Sequence, residues 1–257
     1  MRALVAMLAA LALAVSACGD DGETADAAST TTTSSTTTSS TTSTTAPTTT
    51  TSITTTTSTT TTTTTEPPVP TLDAQISPVT EEDLGLSWRT GCPVPAEDLR
   101  RLDMHHWNDD GRVVTGALIV HVDHVDDLIS VFDRLFAAEF PIHAMAPVTD
   151  FGADDDASMA ANNTSAFNCR EISGRPGVWS QHSYGGAVDI NPLVNPWVRG
   201  AQVDPPEGAP YVDRTVEATG IIVAGDVVTQ AFADIGWGWG GNWRSSKDYQ
   251  HFSHNGR

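Results

Sequence analysis

Basic residues are scarce in this chain: 13 Lys and Arg stand against 32 Asp and Glu in 257 residues, a formal net charge of −19. Leaving out residues 1–65, which hold one Arg and four acids, still leaves −16 on the remainder. A surface this acidic repels the phosphates of nucleic acid and the heads of anionic lipids, so neither is an expected partner. The excess reads as solubility rather than as a binding patch, and a monomer is expected.

Long apolar runs are also missing. The longest apolar stretch, Ala3 to Val15 after the single basic Arg2, is too short to cross a bilayer with ordinary margins and is followed by small residues up to Cys18. Residues 1–18 therefore read as an export signal. Val15-Ser16-Ala17-Cys18 resembles the bacterial lipobox, whose cysteine becomes the lipidated first residue of the mature chain, the alternative being an ordinary signal with an incidental cysteine. With a lipidated Cys18, membrane attachment is by acyl chains alone.

Cysteine is nearly absent, with three in all. Lipidation of Cys18 leaves Cys92 and Cys169 as an even pair, expected as a disulfide in an oxidising compartment, with two buried free thiols as the alternative.

Charge vanishes altogether from residues 29–65, which are Ser and Thr apart from Ala46, Pro47 and Ile53. Such a segment cannot bury enough apolar surface to offset chain entropy, so residues 19–70 are expected to form a disordered tether. Fully extended it would reach about 180 Å, and about 40 Å on random-coil average. Residues 71–257 then hold one globular domain with one core.

Within that domain, Val113–Val122 is rich in branched residues and predicts a strand. Asp123 is placed to cap a helix with Val125, Leu128, Ile129, Phe132, Leu135 and Phe136 on one stripe, stopped by Pro141. Ile142–Ala146 and Ala166–Glu171 predict two more strands. Asp226 starts a second helix that ends at Gly236. Residues 195–220, rich in Pro, Gly and acids, read as a loop long enough to be a flap on the substrate side. The sum is an α+β domain with a small antiparallel sheet and flanking helices.

Two short segments carry the chemistry: Ser180-Gln-His182-Ser-Tyr-Gly185-Gly-Ala187-Val-Asp189 and Asp248-Tyr-Gln-His251-Phe. Strand parity sends Val188 and Ile190 to the core and Asp189 to a cleft, and the glycine pair lets the chain bend His182 back toward it. Asp248 and His251, three apart, share one centre only if a turn separates them, and His254 then falls on the reverse face. Two imidazoles and one carboxylate leave a fourth position open, as catalytic zinc requires, and Asp248 is left as a base. Gly236-Trp-Gly-Trp-Gly-Gly-Asn-Trp243 forms either a packed aromatic corner or a substrate wall. His105-His106 and His121/His124 read as surface or core histidines, and Asp154–Asp156 as a solvated helix start rather than a calcium loop.

The pattern S-x-H-x-x-G-x-A-x-D followed by D-x-x-H-F, with W-G-G-x-W ahead of the second, resembles the zinc D-alanyl-D-alanine carboxypeptidases and L-alanyl-D-glutamate endopeptidases of bacteria and phages, whose fold is shared with the Hedgehog signalling domain. The segment Asn162–Arg170 is also similar, and the likeness spans roughly residues 85–257. It implies zinc ligands His182, Asp189 and His251, Asp248 as catalytic base, Arg170 as supplementary cation or carboxylate clamp, and Ser180 as an orienting residue or a simple turn serine. It also implies a peptidoglycan stem peptide as substrate and an extracytoplasmic, lipid-anchored bacterial protein. The acid-to-His spacing matches the subgroup with Asp as base. Rival expectations are a zinc-bearing wall-binding module without catalysis and a zinc peptidase acting on envelope proteins.

Overall fold

The computed structural model describes residues 69–257. The expected signal, Cys18 and all but the end of the 19–70 tether therefore lie outside the described residues. Among those described, no helix is long and apolar enough to cross a membrane.

The chain opens with β1 (Gln75–Pro78) and a short helix α1 (Glu81–Leu84) held by a reciprocal capping box between Thr80 and Asp83. β2 (Leu99–Trp107) and β3 (Val113–His121) form a hairpin and, with β1, an antiparallel sheet in the order β1-β2-β3. Alternation along the hairpin gives each face its own core. Leu102, Met104, Leu118 and Val120 face the helix α2 (Val125–Ala137), whose Leu128, Val131, Phe132 and Leu135 are buried among them. Leu99 and Ile119 face the other way, toward Val79, Leu84, Val94, Phe167 and Cys169. Each fully buried apolar side chain of this size contributes about 1.5–3 kcal/mol.

Asp123 does not cap α2. A 3-10 turn at Val122–His124 intervenes, Asp123 donates its backbone N–H to His121 Nδ1, and the cap position falls on His124, which makes no side-chain cap bond. The acid sits one residue ahead of the cap position. On the helix stripe Val131 is buried and Ile129 only partly so.

The predicted strand at Ile142–Ala146 narrows to β4 (Ala144–Met145), which after α3 (Asp155–Ala160) pairs in parallel with β5 (Asn163–Thr164). Ala166–Glu171 makes no named strand. Phe167 N–H donates to Ile119 O at 2.9 Å and Cys169 N–H to Ser87 O at 2.9 Å, so its backbone serves separate neighbours instead of one ladder. Cys92 and Cys169 are joined in a disulfide that ties this segment to the chain ahead of β2.

The remaining strands are β6 (Ala187–Asp189), β7 (Trp197–Arg199) and β8 (Gln202–Asp204), followed by α4 (Val227–Asp234), β9 (Gly238–Trp239), β10 (Lys247–Asp248) and β11 (His251–Ser253). They make two antiparallel sheets, β6-β11-β9 and β10-β7-β8. Asp226 caps α4 by accepting from Thr229 N–H at 2.8 Å, as its sequence predicts. The 195–220 segment is not an open loop. It folds into the β7–β8 hairpin and a 3-10 turn, Pro206–Tyr211, and Arg214 closes it with hydrogen bonds to the carbonyls of Val194, Tyr211 and Ile222 and to Asn195 Oδ1.

The described residues thus make an α+β arrangement of small sheets, antiparallel except for the β4–β5 pair. Three three-stranded sheets and the two-stranded β4–β5 pair stand in place of the single sheet expected, and none of the later strands exceeds three residues. Val188, Ile190 and Phe252 enter the α2–α4 core, where the Phe252 ring stacks on Phe232 at 4.1 Å. That burial fixes the orientation of β6 and β11, and hence what their opposite faces display.

Candidate metal centre

His182 stands on a 3-10 turn, Gln181–Tyr184, that Ser180 caps by accepting the His182 N–H at 3.4 Å. The turn ends at Gly185, whose φ of +64° favours glycine, and a Cβ there would lie 2.5 Å from His121 N. The chain therefore reverses tightly and enters β6. Asp189 at the end of β6 lies directly across from His251 at the start of β11. A turn at Tyr249-Gln250 separates β10 from β11, as the three-residue spacing of Asp248 and His251 demands.

These elements bring three side chains into one buried cluster, His182, Asp189 and His251, whose ligand atoms all lie within 4.8 Å of one another. His182 Nε2 is 3.1 Å from Asp189 Oδ2, His251 Nδ1 is 3.0 Å from Asp189 Oδ1, and the two ring nitrogens are 3.3 Å apart. Each ring's other nitrogen has a carbonyl partner: His182 Nδ1 donates to Ala166 O at 2.5 Å and His251 Nε2 to Arg257 O at 3.2 Å. That fixes opposite tautomers, one presenting Nε2 and the other Nδ1, in the manner of outer hydrogen bonds that orient metal-binding histidines.

The electrostatics agree with a site built for positive charge. Burial raises the pKa of Asp189, but the two histidines outweigh it and hold the carboxyl well below the ordinary carboxylate range. Burial likewise opposes protonation of His182, yet Asp189 beside it pushes the imidazole pKa up. Bonds of about 2.0–2.1 Å to a tetrahedral ion place neighbouring ligand atoms about 3.3 Å apart. The 3.3 Å between the two ring nitrogens meets that requirement, each nitrogen has its own oxygen of Asp189 at 3.0–3.1 Å, and two imidazoles with one carboxylate are a donor set that could hold zinc.

Asp248 stands apart from this triad. It pairs with Trp197 of β7, and Gly240 packs so closely that a Cβ there would lie 2.6 Å from Asp248 O and 2.7 Å from its Cβ. The residue keeps some solvent exposure, but its Oδ1 is fully buried without a hydrogen-bond partner. Burial, with Asp189's charge adding to it, pushes the carboxyl up to about 7 against the opposing effects of His251 and Arg170. A buried, unpartnered carboxyl that changes protonation near neutrality suits proton transfer.

Arg170 joins from the segment behind the turn. Its Nη2 pairs with Asp155 Oδ2 at 2.7 Å, while its Nε is buried and unpartnered. Its backbone is bolted to the His182 turn: Arg170 N–H donates to Ser183 Oγ at 2.9 Å, Ser183 Oγ donates to Arg170 O at 2.7 Å, and Ser180 N–H donates to the same carbonyl at 3.0 Å. Ser180's hydroxyl is thus a turn cap rather than a group that touches a ring. Ser183 and Asp155 are the residues that sequence reasoning missed. Ser183 lies inside the first motif, but only the structure shows its two bonds to a distant segment. Asp155 reads from sequence as one of three acids at a helix start, and Asp154 alone performs that capping.

The packed aromatic corner holds for part of the Trp-rich stretch. Trp237 and Trp239 are buried in the core, while Trp243 is partly exposed with its ring centroid 5.4 Å from that of His251. His254 points away from the cluster and packs on His124 at 5.0 Å, and His106 is a core histidine. The helix start at Asp154–Asp156 is also as expected.

A buried His-Asp-His cluster of this kind is a group that could hold a metal ion. In comparison with known families, residues 173–254 match a family model described as D-alanyl-D-alanine carboxypeptidase. The match supports a peptidase of that family and spans His182, Asp189, Asp248 and His251, while Arg170 and the disulfide precede it. No curated protein and no solved structure matches the chain.

Proposed function

We propose that the chain is a zinc peptidase that hydrolyses a peptide bond in peptidoglycan stem peptides, of the D-Ala-D-Ala carboxypeptidase or L-Ala-D-Glu endopeptidase type. We place the domain, residues 71–257, in a Hedgehog/D-Ala-D-Ala peptidase-like fold and outside the cytoplasmic membrane of a bacterium. It is tethered there as a monomer through a lipidated Cys18 and the Ser/Thr-rich segment, within reach of the wall. The observation that carries the reading is the convergence of His182 Nε2, Asp189 and His251 Nδ1 beside the unpartnered Oδ1 of Asp248.

His182, Asp189 and His251 would hold the zinc, which supplies Lewis acidity to water and to the scissile carbonyl. Asp248 Oδ1 takes the proton of the attacking water as its oxygen bonds to the carbonyl carbon, then returns it to the leaving amine as the C–N bond breaks. Arg170 donates from its guanidinium to substrate oxygen, and the Ser180 cap keeps the His182 turn in register. Trp243 walls the cleft beside His251 and limits water access.

Mass spectrometry of peptidoglycan digested by the purified chain tests this. New stem-peptide ends or free D-alanine, lost on dialysis against a chelator and restored by zinc, are expected. Undigested wall in the presence of stoichiometric zinc would overturn it.

A further inference from the structure

Arg170 lies near enough for its charge to act on both His182 and Asp248, which makes it a cation available to substrate near the scissile bond. Its guanidinium is already compensated. Asp155 Oδ2 lies 2.7 Å from Nη2, and the other oxygen of that carboxylate accepts from Asn168 Nδ2 at 3.3 Å, with Asn168 itself buried. Both oxygens of Asp155 are therefore held, and neither serves the helix start, because Asp154 does that. The surroundings add further negative charge. Asp154 and Asp156 flank Asp155, and Asp204 on β8 is near enough for its charge to act on Asp156. The Arg170 side chain stays 32% exposed, so guanidinium N–H groups that Asp155 does not take can still donate, while its Nε is buried without an acceptor.

A free terminal carboxylate needs an uncompensated cation, whereas a neutral amide carbonyl needs only a donor. We infer that Asp155 is a specificity-determining residue that acts by positioning and neutralising Arg170, so that the site takes a peptide continuing past the scissile bond rather than one ending in a free carboxylate beside it. The inference rests on the peptidase reading above and departs from the carboxypeptidase activity in the matched family's description.

The test uses the zinc-loaded full chain carrying Asp248→Asn, which slows turnover so that binding is read before hydrolysis. Its probes are two synthetic stem pentapeptides, identical except that one ends in a carboxylate and the other in a carboxamide. Calorimetry should show the carboxamide bound at least as tightly as the acid. Adding Asp155→Asn should tighten the acid roughly tenfold and leave the carboxamide within about twofold, as freeing one charged partner predicts. A merely structural Asp155 would instead weaken both peptides together, which overturns the inference. So does a tenfold or greater preference for the acid in the Asp248→Asn chain, or failure of both peptides to bind. Asp155→Ser, also tolerated in a first helical turn, is measured beside it and read by the same criteria if Asp155→Asn does not fold. Digestion of peptidoglycan by the wild-type chain is followed in parallel. No digestion with the carboxamide preference intact overturns the peptidase reading alone, and digestion with an acid preference overturns this inference alone.

Discussion

Asp189 and His251 face each other across β6 and β11, with Asp189 Oδ1 3.0 Å from His251 Nδ1. The register that pairs them also pairs Val188 with Phe252, and burial of that second pair holds the first in place. Asp189→Ala removes one of the three proposed ligands and the negative charge that both imidazoles face. Stoichiometric zinc should be lost from the dialysed protein, which elemental analysis reads directly, while thermal unfolding stays cooperative because the Val188–Phe252 contact survives.

Asp248→Ala should separate chemistry from metal binding. Loss of a positioned general base typically costs about 10²–10⁴-fold in rate. Turnover on purified peptidoglycan is expected to fall by that much with zinc content unchanged, and normal turnover would show the base to be assigned wrongly.

The carboxyl of Asp248 also makes a pH prediction. Its folded pKa of about 7 lies above the ordinary 3.8, so in zinc-free protein the protonated form contributes stability that is complete below about pH 4 and is lost as pH rises through 7. The Tm difference between wild type and Asp248→Asn should therefore move against the wild type across that window. A flat difference would show that the carboxyl is not titrating in the buried state.

Gly240→Ala introduces a Cβ that would lie 2.6 Å from Asp248 O and 2.7 Å from its Cβ, so the acid or the turn must shift. Displacement of a catalytic group by about 1 Å can cost about 10²-fold. A fall in kcat of that order with zinc binding preserved is expected from steady-state kinetics and elemental analysis.

Reduction of the Cys92–Cys169 bridge, or Cys92→Ser with Cys169→Ser, opens a loop spanning a sequence separation of 77. The chain-entropy model assigns about 4 kcal/mol to such a closure. Denaturant unfolding should show a loss of that size, and activity should drop as well, because Cys169 adjoins Arg170.

Much of the centre was legible because its constraints are local. Alternation in Ala187-Val188-Asp189-Ile190 depends only on strand geometry, and the three-residue interval between Asp248 and His251 forces a turn wherever the segment lies. The helix over Val125–Ala137 follows from a stripe of the right period. Its cap does not follow from the sequence, because the 3-10 turn at Val122–His124 arises where strand and helix meet and no local pattern announces it. Ala166–Glu171 looks like a strand by composition, yet its neighbours on either side come from distant parts of the chain.

The sequence by itself determined which side chains the cluster uses, their order and the face each occupies, because side-chain chemistry and strand parity are properties of short segments. Only the tertiary structure decided that Asp155 compensates Arg170, that Ser183 bolts Arg170 to the His182 turn, and that residues 195–220 fold back so that β7 flanks Asp248. Those contacts join segments far apart in the chain, and they form only once burial of Val188, Ile190 and Phe252 has fixed how the small sheets meet the helices.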